Sequence, residues 1–350
     1  MAFLIGGANS AADTGFDVDN SCRFNDADSP RMYKTEGDGN RDKWTFSAWI
    51  KRGRFTDGDW YVFRSQIDGN NYLHMRIEGD HQIYVSGVLS GSNNIIVEPS
   101  NMLRDPSAWM HVVLAVDTGQ AVAANRVKWW INGTQVSSFS RSTYPDQNAD
   151  TSVNGGGTFT VGATDGGGYA FDGYMAEVCL IDNAQLDADS FGEFDEDSPT
   201  IWKPIKVSGL TFGTNGFYLD FKASDNLGND ANGGTDLTEV NLDATDQATD
   251  TPTNNFATWN PLASVTDAPA FTEGNCLMAI PTAGKFGAVS TIGMTAGKWY
   301  CEIKLVATSD NDGGISIISD FDDARTDTEA GGTDNSAYGY KEATGNKINA

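Results

Sequence analysis

Over the first two hundred residues, large apolar side chains recur at alternate positions in short runs separated by Gly, Asn, Asp and Ser. A period of two marks strands with one buried face. Trp44-Thr45-Phe46-Ser47-Ala48-Trp49-Ile50 begins with large apolar residues at 44 and 46 and small polar ones between them. Trp49 breaks that alternation, which predicts that one end of this strand is covered on both faces. Residues 72–77 and 81–85 flank Glu78-Gly79-Asp80 and predict a hairpin. Residues 109–116 form a mostly apolar run rich in β formers, the mark of a central strand. Residues 126–131 lead into Asn132-Gly133, a pair that tolerates the positive φ of a two-residue hairpin turn. Further strands are predicted at 158–162 and 174–181. One helical turn is expected, capped by Asp182 or Asn183, running through Gln185-Leu186 and closed by Ser190-Phe191-Gly192.

Ile201-Trp202-Lys203-Pro204 ends this block. Between Ala223 and Gly284 there is no Lys or Arg, while Asp225, Asp230, Asp236, Glu239, Asp243, Asp246 and Asp250 accumulate. The pattern predicts an acidic, irregular connector over 204–256 with one strand near 236–242. Strands resume at 276–280, 298–305 and 314–318 in a last region, 257–350. Three strands rarely close a sandwich, so one apolar face there should need a cover from another subunit or from chain beyond 350. At the start, Ala2-Phe3-Leu4-Ile5 is cut short by Gly6-Gly7 and has no basic residue upstream. A secretory signal needs a positive start and about 7–15 apolar residues. Residues 1–20 therefore read as an anchoring segment and 21–203 as the main domain, and the fold class is all-β.

Charge narrows the functional classes. The chain has 350 residues, with 23 Lys and Arg against 48 Asp and Glu, a formal net charge of −25. Nucleic-acid binding needs clustered cations to neutralise phosphates, so that partner is not expected. Attachment to an anionic membrane is disfavoured for the same reason. Membrane insertion is not expected either, because no apolar run approaches the roughly 20 residues that span a bilayer. Cys22, Cys179, Cys276 and Cys301 show no CxxC or Cys/His spacing. Free thiols, mostly buried, are the expectation for a protein folded in a reducing cytosol.

Two blocks resemble known families. Trp44-Thr45-Phe46-Ser47-Ala48-Trp49-Ile50-Lys51, Trp109-Met110-His111-Val112-Val113, Trp130-Ile131-Asn132-Gly133 and Phe171-Asp172-Gly173-Tyr174-Met175-Ala176-Glu177-Val178 come in the order of a laminin-G-like, concanavalin A-like jelly roll. Gly297-Lys298-Trp299-Tyr300-Cys301-Glu302-Ile303 and Ser336-Ala337-Tyr338-Gly339-Tyr340 resemble the opening half of a SPRY domain. The layout as a whole is similar to marine bacteriophage virion proteins, through Gly7-Ala8-Asn9-Ser10-Ala11 and Asp250-Thr251-Pro252-Thr253-Asn254-Asn255-Phe256. That resemblance implies a virion component assembled in the host cytoplasm, in a tail or head appendage that adheres to host-surface glycans. It implies other virion proteins as partners and a homo-oligomer, a trimer by analogy. Capsid decoration and polysaccharide hydrolysis are the alternatives.

Candidate chemistry is sparse. Concanavalin A-like glucanases carry their carboxylates on one strand as Glu-x-Asp-x-x-Glu, with acid and nucleophile about 5 Å apart. The near match, Glu193-Phe194-Asp195-Glu196, has its last acid at i+3, on the wrong face of a strand. No Gly-x-Ser-x-Gly elbow is present. The expectation is therefore a non-enzyme. No cofactor is called for. The one cation that the jelly-roll resemblance suggests is a rim calcium, with Asp165 and Asp172 bracketing a Gly-rich loop. For sugar binding, Trp60 and Tyr61 follow Asp57-Gly58-Asp59, and Tyr169 follows Gly166-Gly167-Gly168. Flat rings beside loops can stack on pyranose faces, which makes these three the candidate ligand contacts.

Overall fold

The computed structural model describes residues 16–89, 91–263, 269–279, 287–294, 296–306, 314–318, 337–341 and 347–349. Two compact units form, one within Ile5–Asn255 and one within Phe256–Ala350.

The first unit carries, in chain order, β1 (Ser21–Phe24), β2 (Arg31–Thr35), β3 (Lys43–Arg52), β4 (Trp60–Asp68), β5 (Asn71–Ile77) and β6 (Ile83–Leu89). There follow β7 (Ser92–Pro99), β8 (Met110–Asp117), β9 (Val127–Ile131), β10 (Thr134–Gln135), β11 (Phe139–Thr143) and β12 (Thr158–Val161). Next come β13 (Gly173–Asp182), β14 (Gly192–Phe194), β15 (Trp202–Pro204), β16 (Phe217–Leu219), β17 (Thr238–Val240) and β18 (Gln247–Ala248). Two large antiparallel sheets result. One runs β10-β9-β8-β3-β13-β1-β18, with β16 also on β13, and the other runs β11-β7-β6-β5-β4-β12-β2-β17. Asn132 (φ 46°) and Gly133 (φ 73°) make the tight turn between β9 and β10.

The inward side chains of both sheets form one core. Trp44, Phe46, Ala48 and Ile50 of β3 share it with Phe63, Leu73, Met75, Val85 and Phe159 of the other sheet. Phe63 stacks on Phe159 with ring centroids 5.0 Å apart and meets Phe46 at 4.6 Å. The outer face of the first sheet is covered as well. Trp49, Trp109, Val113, Trp130 and Tyr174 pack there with Ala188, Phe191, Trp202 and Phe212, which the chain after β13 supplies. That second layer is why Trp49 breaks the alternation and why β13 is buried along its whole length. His111 sits inside it. Trp202 Nε1 donates to His111 Nδ1 at 3.0 Å, so Nε2 bears the proton and donates to Ser47 Oγ at 2.8 Å.

Three expectations need correction. The turn after β13 is a 3-10 turn at Ala188–Ser190. Asp182 caps no helix, because its carboxylate accepts from Asn40 N at 2.9 Å, Asn154 Nδ2 at 3.0 Å and Thr214 N at 3.1 Å. The stretch 204–256 is irregular for most of its length, with a strand at Thr238–Val240 as expected, but up to Asn255 it is part of the first unit and no connector. Within it β16 pairs with β13, β17 with β2 and β18 with β1, and Phe217, Leu219, Phe221, Leu227 and Leu237 join the main core. Its acids serve turns: the Asp230 carboxylate accepts from Tyr218 N, Asn232 N and Gly234 N. Asp250 closes the segment, buried between Lys51 Nζ at 2.7 Å and Trp109 Nε1 at 2.8 Å. Of the expected anchoring segment, residues 1–15 lie outside the described residues, while Phe16 and Val18 pack on the outer layer.

The second unit holds a hairpin of β19 (Ala270–Thr272) and β20 (Leu277–Ala279), and a sheet of β21 (Gly314–Ile318), β22 (Ala337–Lys341) and β23 (Lys347–Asn349). The strand expected at 298–305 has no ladder there, and Tyr300, Leu305, Val306, Ile315 and Ile317 are exposed. None of the four cysteines is in a disulfide; Cys22 and Cys179 are buried, whereas Cys276 and Cys301 are exposed.

Candidate functional site

The sheet β11-β7-β6-β5-β4-β12-β2-β17 turns its second face away from the core, and alternation decides what stands there. On β5, Leu73, Met75 and Ile77 enter the core, which leaves Tyr72, His74 and Arg76 on the other side. On β4 a register shift between Tyr61 and Phe63 sends Trp60, Val62 and Phe63 all into the core, so Tyr61, Arg64 and Gln66 stand together on this side, with Tyr84 of β6 beside them. Register aligns these residues into rows. One row runs Tyr33, Thr160, Arg64, His74, Ser86 and Ile96 across five neighbouring pairings. Another joins Tyr61, Arg76 and Tyr84. Directly opposed residues have Cβ atoms about 4.5–5.5 Å apart, so each row is a continuous strip of side chains.

Rings and guanidinium groups alternate over this face. The Arg64 guanidinium lies 4.3 Å from the Tyr72 ring centroid, and that of Arg76 lies 4.8 Å from Tyr84 and 5.7 Å from Tyr61. Arg141 reaches in from β11 to 4.8 Å from Tyr84. Each contact is worth about 0.5–1 kcal/mol at an exposed site and holds the rings flat-side to the cations. His74 sits among three of the rings, with centroids 4.8 Å from Tyr61, 5.8 Å from Tyr72 and 5.8 Å from Tyr84. Burial, then the Arg76 and Arg64 charges, push its imidazole down to about 3, so it is neutral at pH 7. A neutral imidazole offers one donor and one acceptor. Neither ring nitrogen has a hydrogen-bond partner, and Thr160 Oγ1 in the same row has none either. All three of these atoms are shielded from solvent, so the groups of this face that a ligand can reach are the partly exposed Arg64, Tyr72 and Arg76.

The expected ligand contacts separate here. Trp60 is a core residue, 6% exposed, with the Arg52 guanidinium 5.7 Å from its ring. Its position on β4 points it inward, so it cannot meet a ligand from outside. Tyr61 and Tyr169 do come together, with centroids 5.3 Å apart and Tyr61 N donating to the Tyr169 carbonyl at 2.9 Å. Tyr169 is 59% exposed and lies at the border of the face. Sequence reasoning missed Tyr72, Arg64, His74 and Arg76. The signal available was Tyr-x-His-x-Arg over 72–76, a polar aromatic face opposite Leu-x-Met-x-Ile.

The two suggested metal ligands stand in different surroundings. Asp165 is exposed in the turn closed by Gly167 N on the Thr164 carbonyl. Asp172 is buried against Asp26, and burial followed by that neighbouring carboxylate raises its pKa to about 7. Among the described residues, the one group of three or more carboxylates close enough to share an ion is Glu78, Asp80 and Glu98. Arg76 and Arg141 pair with Glu78, and Arg141 also pairs with Glu98. As for the hydrolase alternative, Glu193 and Asp195 both bind Lys203 Nζ, at 3.4 and 3.3 Å. Two surface clefts lie away from the tyrosine face, one beside Trp130 and Asp187 and one beside Arg41 and Asp182.

Residues 26–189 match a laminin G family model described as the concanavalin A-like lectin/glucanases superfamily. The first unit is a concanavalin A-like jelly roll. Solved structures similar to it include the heptameric SAP-like pentraxin of Limulus polyphemus, at 18% identity and a TM-score of 0.35, covering 49% of this chain and 79% of that one. A candidate carbohydrate-binding protein from Bacteroides ovatus gives 18% identity and 0.42, covering 64% of this chain and 58% of that one. Tailspike protein 2 of the Escherichia coli O157:H7 bacteriophage CAB120 gives 15% and 0.36, covering 53% and 26%. These likenesses concern the fold alone. No curated protein sequence matches this chain.

Proposed function

We propose that the jelly roll binds glycans, without catalysis, through the tyrosine–arginine face of its second sheet. The proposal extends to the whole protein as an adhesive component of a bacteriophage particle, assembled as a homo-oligomer. One observation carries the binding reading: the partly exposed Arg64 guanidinium lies 4.3 Å from the partly exposed Tyr72 ring on the outer face of the sheet, with no carboxylate paired to it among the described residues. Rings supply the flat apolar surface that a pyranose face covers, while guanidinium and hydroxyl groups take its oxygens. The virion reading is supported by the sequence resemblance of the opening segment and of residues 250–256.

A glycan array probed with the full chain and with Tyr72→Ala tests the binding. Bound glycans should lose about tenfold or more in affinity with the variant, the equivalent of 1.4 kcal/mol. Equal binding by both proteins would remove the face from the account. Immunogold labelling of particles tests the virion reading, and label absent from purified particles would end it.

A further inference from the structure

We infer that the glycan taken by this face is acidic, with a carboxylate or sulfate group seated on Arg64. The inference rests on the glycan-binding reading and deepens it. In a chain with 48 acidic and 23 basic side chains, a partly exposed arginine has many carboxylates to choose from. Arg76 takes Asp59 at 2.7 Å and Glu78 at 3.1 Å, and Arg141 takes Glu78 and Glu98. Arg64, in the row between Thr160 and His74, has no carboxylate within 4 Å among the described residues. Its Nε donates to Gln66 Oε1 at 2.9 Å, and its plane lies against Tyr72. Both terminal amino groups are left for an incoming ligand, and that edge of a guanidinium is the one that grips a planar or tetrahedral anion in a two-pronged hydrogen bond.

The neighbours fit an anion rather than a neutral hydroxyl. Thr160 and His74 flank Arg64 in its row, both buried and both uncharged at pH 7, so neither sets a charge against an anion held there. No aspartate or glutamate stands in the row of Tyr33, Thr160, Arg64, His74, Ser86 and Ile96 to repel a negative group. The chain's net charge of −25 opposes indiscriminate capture of polyanions, so binding of an acidic polymer must come from a local site.

Affinity electrophoresis of the full chain against alginate, sulfated carrageenan and neutral dextran tests this, with Arg64→Gln, Arg64→Lys and Tyr72→Ala compared. The expected result is retardation by alginate or carrageenan, weakened at least tenfold by Arg64→Gln, weakened less by Arg64→Lys, and weakened further by salt. Which of the two polymers retards the protein tells carboxylate from sulfate. Dextran binding that is lost in Tyr72→Ala but unchanged in Arg64→Gln would overturn the acidic ligand and leave glycan binding intact. Retardation by none of these polymers would overturn the acidic ligand, and an empty glycan array would overturn the reading beneath it. Acidic binding unchanged in Arg64→Gln would place the anion elsewhere and refute the assignment. Coincident unfolding transitions of Arg64→Gln and the parent exclude misfolding as the cause.

Discussion

Replacing Asp250 with alanine should destabilise the jelly roll far more than its place in a polar stretch suggests. Its carboxylate meets Lys51 Nζ at 2.7 Å, and the two side chains are 7% and 1% exposed. The other oxygen accepts from Trp109 Nε1 at 2.8 Å. Without Asp250, the Lys51 ammonium stays buried on the outer face of β3 and loses its carboxylate counterion, keeping Asn255 Oδ1 at 2.8 Å and the Tyr174 ring at 6.0 Å. Breaking a buried pair from one side costs about 3–5 kcal/mol, because the remaining charge has lost its solvation and its counterion. The orphaned indole N–H falls within that figure rather than adding to it. Urea unfolding at pH 7, followed by tryptophan fluorescence, reads the loss as a lower midpoint at unchanged slope. Lys222→Ala is the control. Its ion pair with Asp19 is more than half exposed on both sides and should contribute at most about 1 kcal/mol. A loss below about 1 kcal/mol for Asp250→Ala would refute the reasoning, since Lys51 would then have another way to satisfy its charge.

Glu177→Gln should raise stability at pH 8 by roughly 2–3 kcal/mol. Burial lifts the Glu177 carboxyl to about 7, so the folded form holds a proton that the unfolded chain has already lost above pH 4.5. That contribution is complete below pH 4.5 and disappears as pH rises through 7, and equal melting of variant and parent at pH 8 would contradict it. Trp202→Phe leaves His111 Nδ1 without its donor and should cost about 1–3 kcal/mol in the same urea assay, with no change refuting the network. Burial also pushes His111 down to about 3, so its contribution is present above pH 6.5 and is lost as pH falls toward 3. A thiol reagent should modify Cys276 and Cys301 in the native protein and Cys22 and Cys179 only after unfolding. Four fast thiols would contradict the burial of the last two.

The strands of the jelly roll were legible because each carries its own period and its own turn. Asn132-Gly133 announced its hairpin, and Trp49 announced a second covering layer. The segment 204–255 was not legible, for a physical reason. Its strands are only two or three residues long, too short for a period, and its place in the fold depends on distant partners such as Lys51 for Asp250. An acidic stretch without local cations looks unfolded until the buried cation it neutralises is known. At the binding face the difficulty was different. Loops drew attention to Trp60, Tyr61 and Tyr169, but the strand phase sends Trp60 inward and gathers Tyr61 with Tyr72, Arg64 and His74 on the opposite side. Register across strands, which no single run of sequence states, made that row.

The most direct test of the glycan-binding face is a crystal structure of the chain with an oligosaccharide selected from the array. The account predicts a sugar ring within about 4.5 Å of the Tyr72 or Tyr169 ring, on the outer side of β4 and β5. A sugar seated in the cleft beside Trp130 and Asp187, with the tyrosine face bare, would contradict it.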